Sequence, residues 1–282
     1  MQVERARELG LCFGVRRAVN MLRDAARRHT GLQTLGPIAH NHVLLQELAA
    51  LGVETVDSPE HLQGPAVVVS AHGVPPSVMH RLADRGLNVI DTTCPNVARA
   101  QHIVAELADD GFTIVIFGDS GHTEVRGLLG WAGERSMATL SVAEASGLLR
   151  RGPRGRLAVI SQTTQRLQEY VEFARELCAA AMADTEELRI INTLCDATVR
   201  RQAAAAELSR RVDVMIVVGG RHSANTRRLA ETCATIVETH HVETAAELNE
   251  AWFTGKASVG LTAGASTPDS VIDEVASRLE RA

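Results

Sequence analysis

Three cysteines place the strongest constraint on this chain of 282 residues, because each opens a copy of one pattern. Residues 90–101 read IDTTCPNVARAQ and residues 191–202 read INTLCDATVRRQ. Both run Ile, then Asp or Asn, then Thr, ahead of a Cys, with Arg five and Gln seven positions after it. A weaker third copy, GLCFGVRRA at 10–18, again sets a Cys before a helical pattern carrying Arg. Counting 28 residues on from Cys12, Cys94 and Cys195 reaches His40, His122 and Ser223, each in a Gly-containing turn after an apolar run. A second apolar run in each copy ends at His72, Thr163 and Ser266, which lie 32, 41 and 43 residues further on. Self-similarity of this kind reads as repeated supersecondary units.

Val- and Ile-rich runs at 67–71, 87–91, 113–118, 157–162, 214–219 and 258–262 alternate with amphipathic stretches at 14–29, 96–110, 165–180, 198–211 and 270–281. Buried strand-like runs separated by helices predict α/β units with mainly parallel sheets. The expected architecture is three pseudo-threefold-related α/β units around a central cluster cavity. Their boundaries fall at 13–94, 95–192 and 193–282, joined by an N-terminal strand within 1–12. Ligands of open parallel sheets bind beyond the carboxyl ends of the strands. Three thiols would thus approach one axis, ringed by six polar groups.

The formal charge of −5 argues against a broad nucleic-acid or anionic-membrane surface, so an anionic ligand would need a local pocket. The N-terminus lacks the layout of a signal peptide, and no run approaches the roughly 18 apolar residues of a membrane span. Five cysteines without either feature are expected as thiols, ligands or core residues of a cytoplasmic protein. Cys178 and Cys233 sit inside helical patterns away from the repeat positions and read as structural.

No CxxC pair is present, which excludes a zinc ribbon or a ferredoxin-like run. Three thiolates suit either zinc or a [4Fe–4S] cube whose fourth iron is left open to a substrate oxygen. His40, His72 and His122 suit an oxyanion. VVGGRHSANTRRLAE places Gly219, Gly220, Ser223 and Asn225 between a strand and a helix, the geometry in which a helix N-terminus holds phosphate. TAGASTPD, with Ser266, repeats the device; the plainer reading of both is helix capping. Glu124, two residues after His122, opposes anion binding unless it donates a proton from a dry pocket. No GxxxxGK[ST] loop, GxGxxG turn or DDxxD-type site occurs, so a diphosphate held without magnesium is the consistent ligand.

GLCFGVRRA, PIAHN, SAHGVPP, DTTCP, GHTEVRG, SQTTQ, INTLCDAT, GGRHSANTRRL and TAGASTPD resemble, in order and spacing, the 4-hydroxy-3-methylbut-2-enyl diphosphate reductase family, from about residue 3 to 280. The resemblance implies reductive removal of an allylic hydroxyl, giving isopentenyl and dimethylallyl diphosphates, the last step of the non-mevalonate isoprenoid pathway. It implies that Cys12, Cys94 and Cys195 hold a [4Fe–4S] cluster with one open iron. It also implies that His40, His72, His122, Thr163, Ser223, Asn225 and Ser266 surround the substrate. Glu124, Thr163 and His122 would form the catalytic set, with Glu124 as proton source, and reduced ferredoxin or flavodoxin would supply electrons. Leu11, Thr123, His222 and Ala224 depart from the family's commonest pattern. At Ala224 a hydroxyl that could donate to phosphate is missing, a loss of about 1 kcal/mol if one net hydrogen bond goes with it.

Overall fold

The computed structural model describes residues 1–149 and 155–281. Its first elements are β1 (Gln2–Arg5), α1 (Phe13–Ala26), β2 (Gln33–Leu35), α2 (His42–Ala50), β3 (Glu54–Val56), β4 (Ala66–Val69), α3 (Pro76–Asp84) and β5 (Asn88–Asp91). Next come α4 (Pro95–Asp109), β6 (Thr113–Phe117), α5 (Thr123–Ala132), β7 (Ser136–Thr139), α6 (Val142–Leu149), β8 (Gly155–Ser161), α7 (Leu167–Ala181) and β9 (Thr185–Ile190). The chain ends with α8 (Asp196–Ser209), β10 (Val214–Val218), α9 (Ala224–Ala234), β11 (Thr239–Val242), β12 (Ser258–Ala263) and α10 (Asp269–Glu280).

The strands form three four-stranded sheets, ordered β3-β2-β4-β5, β7-β6-β8-β9 and β1-β12-β10-β11, and every pairing is parallel. The α/β class with parallel sheets read from the sequence is the one the chain adopts. Two compact units result: Met1–Arg27, Pro37–Val53 and Asp196–Ala282 carry the sheet β1-β12-β10-β11, and Arg28–Gly36 with Glu54–Cys195 carry the other two. No helix among the described residues is long and apolar enough to cross a membrane.

Strand β10 shows why a continuous apolar run was needed. Val214, Ile216 and Val218 pack with Val271, Ile272, Val275 and Leu279 of α10, while Met215 and Val217 pack on the other face with Leu208 of α8 and Leu229 and Cys233 of α9. Period-two side chains with helices on both faces leave no solvent side, and each such burial contributes roughly 1.5–3 kcal/mol. Cys233 is wholly buried in this core, and desolvation pushes its thiol above the usual range. In the second unit, β6 and β8 present Ile114, Ile116, Ala158 and Ile160 to Val104 and Leu107 of α4 and Val125 and Leu128 of α5.

Three strands end in the same turn. Gly73 N–H donates to the Ser70 carbonyl after β4 (3.0 Å), Gln165 N–H to Gln162 after β8 (3.2 Å) and Thr267 N–H to Gly264 after β12 (3.1 Å). The register places Thr163 level with Ala71 and Ala265, not with His72 and Ser266, since all three lie two residues past their strands. The offset expected from counting is therefore one residue out for this position. Thr163 stands one position earlier in this turn than His72 and Ser266 do in theirs, where its backbone N–H and hydroxyl face Glu124 of α5.

Helix α5 approaches the loop at 72–75 because Gly127 and Gly130 stand on the facing side. A Cβ at Gly130 would lie 2.5 Å from Pro75 Cβ, and one at Gly127 would lie 3.8 Å from the His72 carbonyl oxygen. Trp131 Nε1 donates to the Val74 carbonyl at 3.0 Å and fixes the contact.

Candidate active site

The repeat motif is a machine for presenting a thiol at a helix N-terminus. Asp91 Oδ1 accepts Thr93 N–H at 2.9 Å and Asn192 Oδ1 accepts Leu194 N–H at 3.0 Å, so both form the turn such side chains favour. Thr92 Oγ1 donates to Val69, the last carbonyl of β4, at 2.6 Å, and Thr193 Oγ1 donates to the Ser161 carbonyl at the end of β8. The third copy does this differently: Gly10 takes a positive φ of 78° and its carbonyl accepts Arg201 Nη2 at 2.8 Å. That substitution explains why the copy at 10–18 is weak in sequence.

All three cysteines are then anchored alike. Cys12 N–H donates to Ala265 (2.9 Å), Cys94 N–H to Ala71 (3.0 Å) and Cys195 N–H to Thr163 (2.9 Å). Cys12 caps α1, Cys94 caps α4 and Cys195 immediately precedes α8, and neither of the first two uses its side chain as a cap. The three thiols are partly exposed and in no disulfide. Within the second unit, Asn96 Nδ2 donates to Cys195 Sγ at 3.1 Å, which sets the first turn of the Cys94-capped helix against Cys195. The sequence reading gave Asn96 no role; its place two residues after Cys94 was the only signal.

Also in the second unit, Glu124 and Thr163 are 2 % and 3 % exposed, too dry for a solvated surface carboxylate. Thr163 N–H donates to Glu124 Oε1 at 2.7 Å and Thr163 Oγ1–H to Oε2 at 2.9 Å. A hydroxyl both donates and accepts, so the same pair persists whether the carboxyl is ionised or carries a proton. Thr163 thus grips the carboxyl with two groups and the Cys195 backbone with its carbonyl. His122 caps α5 by accepting Glu124 N–H on Nδ1 at 3.2 Å. With Nδ1 accepting, Nε2 is the ring nitrogen placed to donate. The His72 ring stands edge-on to it, centroids 5.6 Å apart and planes at 79°.

The first unit holds Cys12, His40, Ser223, Asn225 and Ser266. Ser223 Oγ accepts Thr226 N–H at 3.3 Å as the cap of α9, so the capping role is real and leaves the hydroxyl hydrogen to donate elsewhere. Asn225 is 7 % exposed and its Nδ2 has no partner among the described residues. Ser266 Oγ donates to the His40 carbonyl at 3.4 Å, and a Cβ at Gly220 would lie 2.4 Å from that same oxygen. A side chain at 220 would therefore force the two segments apart. Burial lowers the His40 imidazole below its ordinary value, and His222 and Arg227 push it further down. His40 lines a cleft of about 490 Å³ with Asn41, His42, Leu45, Gly220, His222 and Glu243.

Comparison with known proteins covers nearly the whole chain. The family model described as LytB protein matches residues 3–280. A 4-hydroxy-3-methylbut-2-enyl diphosphate reductase of Dehalococcoides mccartyi (strain CBDB1) is 44 % identical over 284 residues, covering 100 % of this chain and 98 % of its own. One of Pelobacter propionicus is 40 % identical over 281 residues, covering 99 % and 98 %. A solved structure of (E)-4-hydroxy-3-methyl-but-2-enyl diphosphate reductase, described as the terminal enzyme of the non-mevalonate pathway, superimposes with a TM-score of 0.73 at 36 % identity, covering 100 % of both chains. The corresponding reductase structure from Plasmodium falciparum shares the fold, with a TM-score of 0.89 at 22 % identity over 98 % of this chain and 87 % of its own.

Proposed function

Because the chain belongs to the LytB protein family, we propose that it reduces 4-hydroxy-3-methylbut-2-enyl diphosphate to isopentenyl and dimethylallyl diphosphates, as the last step of the non-mevalonate isoprenoid pathway. One observation supports the chemistry above the others: a single buried threonine holds a buried carboxyl through two hydrogen bonds and a cysteine backbone through a third. A proton source and a candidate metal ligand are thereby fixed on one residue.

We assign Cys12, Cys94 and Cys195 to a [4Fe–4S] cluster with three protein ligands, each repeat (13–94, 95–192 and 193–282 with the strand 1–12) giving or adjoining one. The donor set suits it: three thiols at helix N-termini, one already accepting an amide N–H, the kind of hydrogen bond that tunes a cluster's potential. When bound, the cluster supplies electrons and an iron corner that acts as a Lewis acid.

His40, His72, His122, Ser223, Asn225 and Ser266 are assigned to the substrate, with the imidazole N–H groups, hydroxyls, the Asn225 amide and the first turn of α9 donating to the diphosphate. Thr163 orients Glu124 and meets the substrate hydroxyl. Glu124 gives its proton as the C–O bond breaks, and the hydroxyl leaves as water. Two electrons enter from reduced ferredoxin or flavodoxin, and a second proton adds to either of two carbons of the allylic fragment, so charge and atoms balance. The remote diphosphate holds the reacting end in place. Such an enzyme belongs in the cytoplasm.

Anaerobically purified protein tests the proposal. Iron and sulfide should accompany it, and it should turn over the allylic diphosphate with an artificial reductant; zinc instead of iron would overturn the cluster assignment. Glu124→Gln should keep the iron and sulfide content and lose about 10²-fold or more of turnover, the scale of general acid catalysis. An active Gln variant would remove Glu124 from the acid role.

A further inference from the structure

The loop between β10 and α9 is closed from within at one point, where Ser223 N–H donates to the Gly220 carbonyl at 3.0 Å. Gly219 has φ 145°, and a Cβ there would lie 2.6 Å from Thr267 Oγ1 and 3.0 Å from Thr226 Oγ1. Two adjacent glycines also leave the peptide between them cheap to turn over. Residues 241–247 supply further restraint. Gly219 N–H donates to the Val242 carbonyl at 2.9 Å, continuing the β10–β11 ladder. His241 Nε2 lies 2.7 Å from the Gly219 carbonyl oxygen, and since a carbonyl only accepts, the imidazole must donate there. Glu243 Oε1 accepts Arg221 N–H at 2.7 Å, and Glu247 pairs with the Arg221 guanidinium.

We propose that His241 is a positioning residue for diphosphate binding: by holding the Gly219 carbonyl it fixes the loop that presents Ser223, Asn225 and the first turn of α9 to the anion. In a trans peptide the carbonyl and the next N–H point opposite ways. Holding the Gly219 oxygen toward β11 therefore keeps the Gly220 N–H on the other side, where a turned peptide would place a carbonyl oxygen instead. The cost of that exchange falls on an anion, which is repelled by the carbonyl and loses a donor. Glu243, which lines the cleft beside His40 and His222, accepts the Arg221 N–H and so holds the loop at a second point. His241 acts on the backbone of this loop, so its effect belongs to binding and not to the chemical step.

The inference rests on the diphosphate reading above, and inorganic pyrophosphate separates the two. Dissociation constants are measured by titration calorimetry for the wild type, His241→Phe and His241→Gln, together with kcat, KM and iron content. The wild type should bind pyrophosphate. His241→Phe keeps the ring volume without the donor, and should weaken pyrophosphate and raise KM about five- to tenfold, the equilibrium worth of roughly one net hydrogen bond. Its kcat and iron content should stay within twofold of wild type, and His241→Gln, which carries an amide donor of similar reach, should recover most of the affinity. Amide exchange at 219–223 should quicken in the Phe variant alone. If the Phe variant does not fold, His241→Asn, too short to reach the carbonyl, takes its place with the same expectation. Wild-type affinity in the Phe variant, or a loss that Gln does not lessen, overturns the role of His241 alone; a wild type that ignores pyrophosphate overturns the diphosphate reading and the inference with it.

Discussion

Thr163 carries more of the site than its small side chain suggests, and its three contacts can be separated by substitution. Thr163→Val keeps the shape, the backbone N–H to Glu124 Oε1 and the carbonyl to Cys195, and deletes only the hydroxyl bond to Oε2. A hydrogen bond to a charged group is worth about 1.5–3 kcal/mol, so turnover should fall roughly 10- to 100-fold with iron content unchanged. Thr163→Ser should remain within a few-fold of wild type. Rate and iron per chain decide it: a Val variant as fast as wild type would mean that the backbone N–H alone orients Glu124. The residue types of this site were legible in the sequence because the cysteine repeat marked equivalent turns. The fine placement of Thr163 was not, because counting residues cannot reveal that it stands one position earlier in the same turn than His72 and Ser266 do.

At the scale of elements, sequence pattern found strands that carry an apolar run, the edge strand β5 among them, and missed short polar ones, even β2, which is central and buried. The runs at 113–118 and 214–219 became β6 and β10, central strands whose side chains are almost all buried. The edge strands β3, β7 and β11 are ETV, SMAT and THHV, three or four residues with one buried position each, and nothing in them stands out as an apolar run. Helix α5 was hidden for another reason: its two glycines lower helix propensity, yet they are what lets it reach the loop at 72–75. Gly130→Val should therefore drive the helix off Pro75, loosen the Trp131–Val74 bond and part His72 from His122. The expected cost is about 1–3 kcal/mol of stability, with weaker pyrophosphate binding. Gly147→Ala in α6, where an added Cβ meets nothing, should be neutral or stabilise by up to about 1 kcal/mol. Thermal unfolding of the two variants compares them directly; equal shifts would refute the packing argument.

For the molecule as a whole, the net charge of −5 means that an anion is not drawn in by the surface at large, so local proton uptake has to assist its capture. His40 is placed to do this. Burial, then His222, then Arg227 hold its imidazole below the ordinary 6.5, with His42 and Glu243 the other ionisable groups of its cleft. The sign of the stability effect follows. Above pH 6.5 the ring is neutral in folded and unfolded chains alike, and its contribution is fully present. As pH falls from 6.5 through the lowered folded value, the unfolded chain takes up the proton first and stability is lost. The buried carboxylate effects expected of most proteins act at lower pH, so the midpoint of urea unfolding should already decline between pH 6.5 and 5.5, and less so in His40→Gln. A diphosphate beside the ring reverses the balance, because an anion favours the imidazolium that burial disfavours. Binding of pyrophosphate near pH 7 should therefore take up a fraction of a proton, read as a dependence of the calorimetric heat on the ionisation enthalpy of the buffer. His40→Gln should remove that dependence together with part of the affinity. Heats that are the same in phosphate-free buffers of high and low ionisation enthalpy would show that His40 stays neutral in the complex, and its part in holding the diphosphate would reduce to a single neutral hydrogen bond.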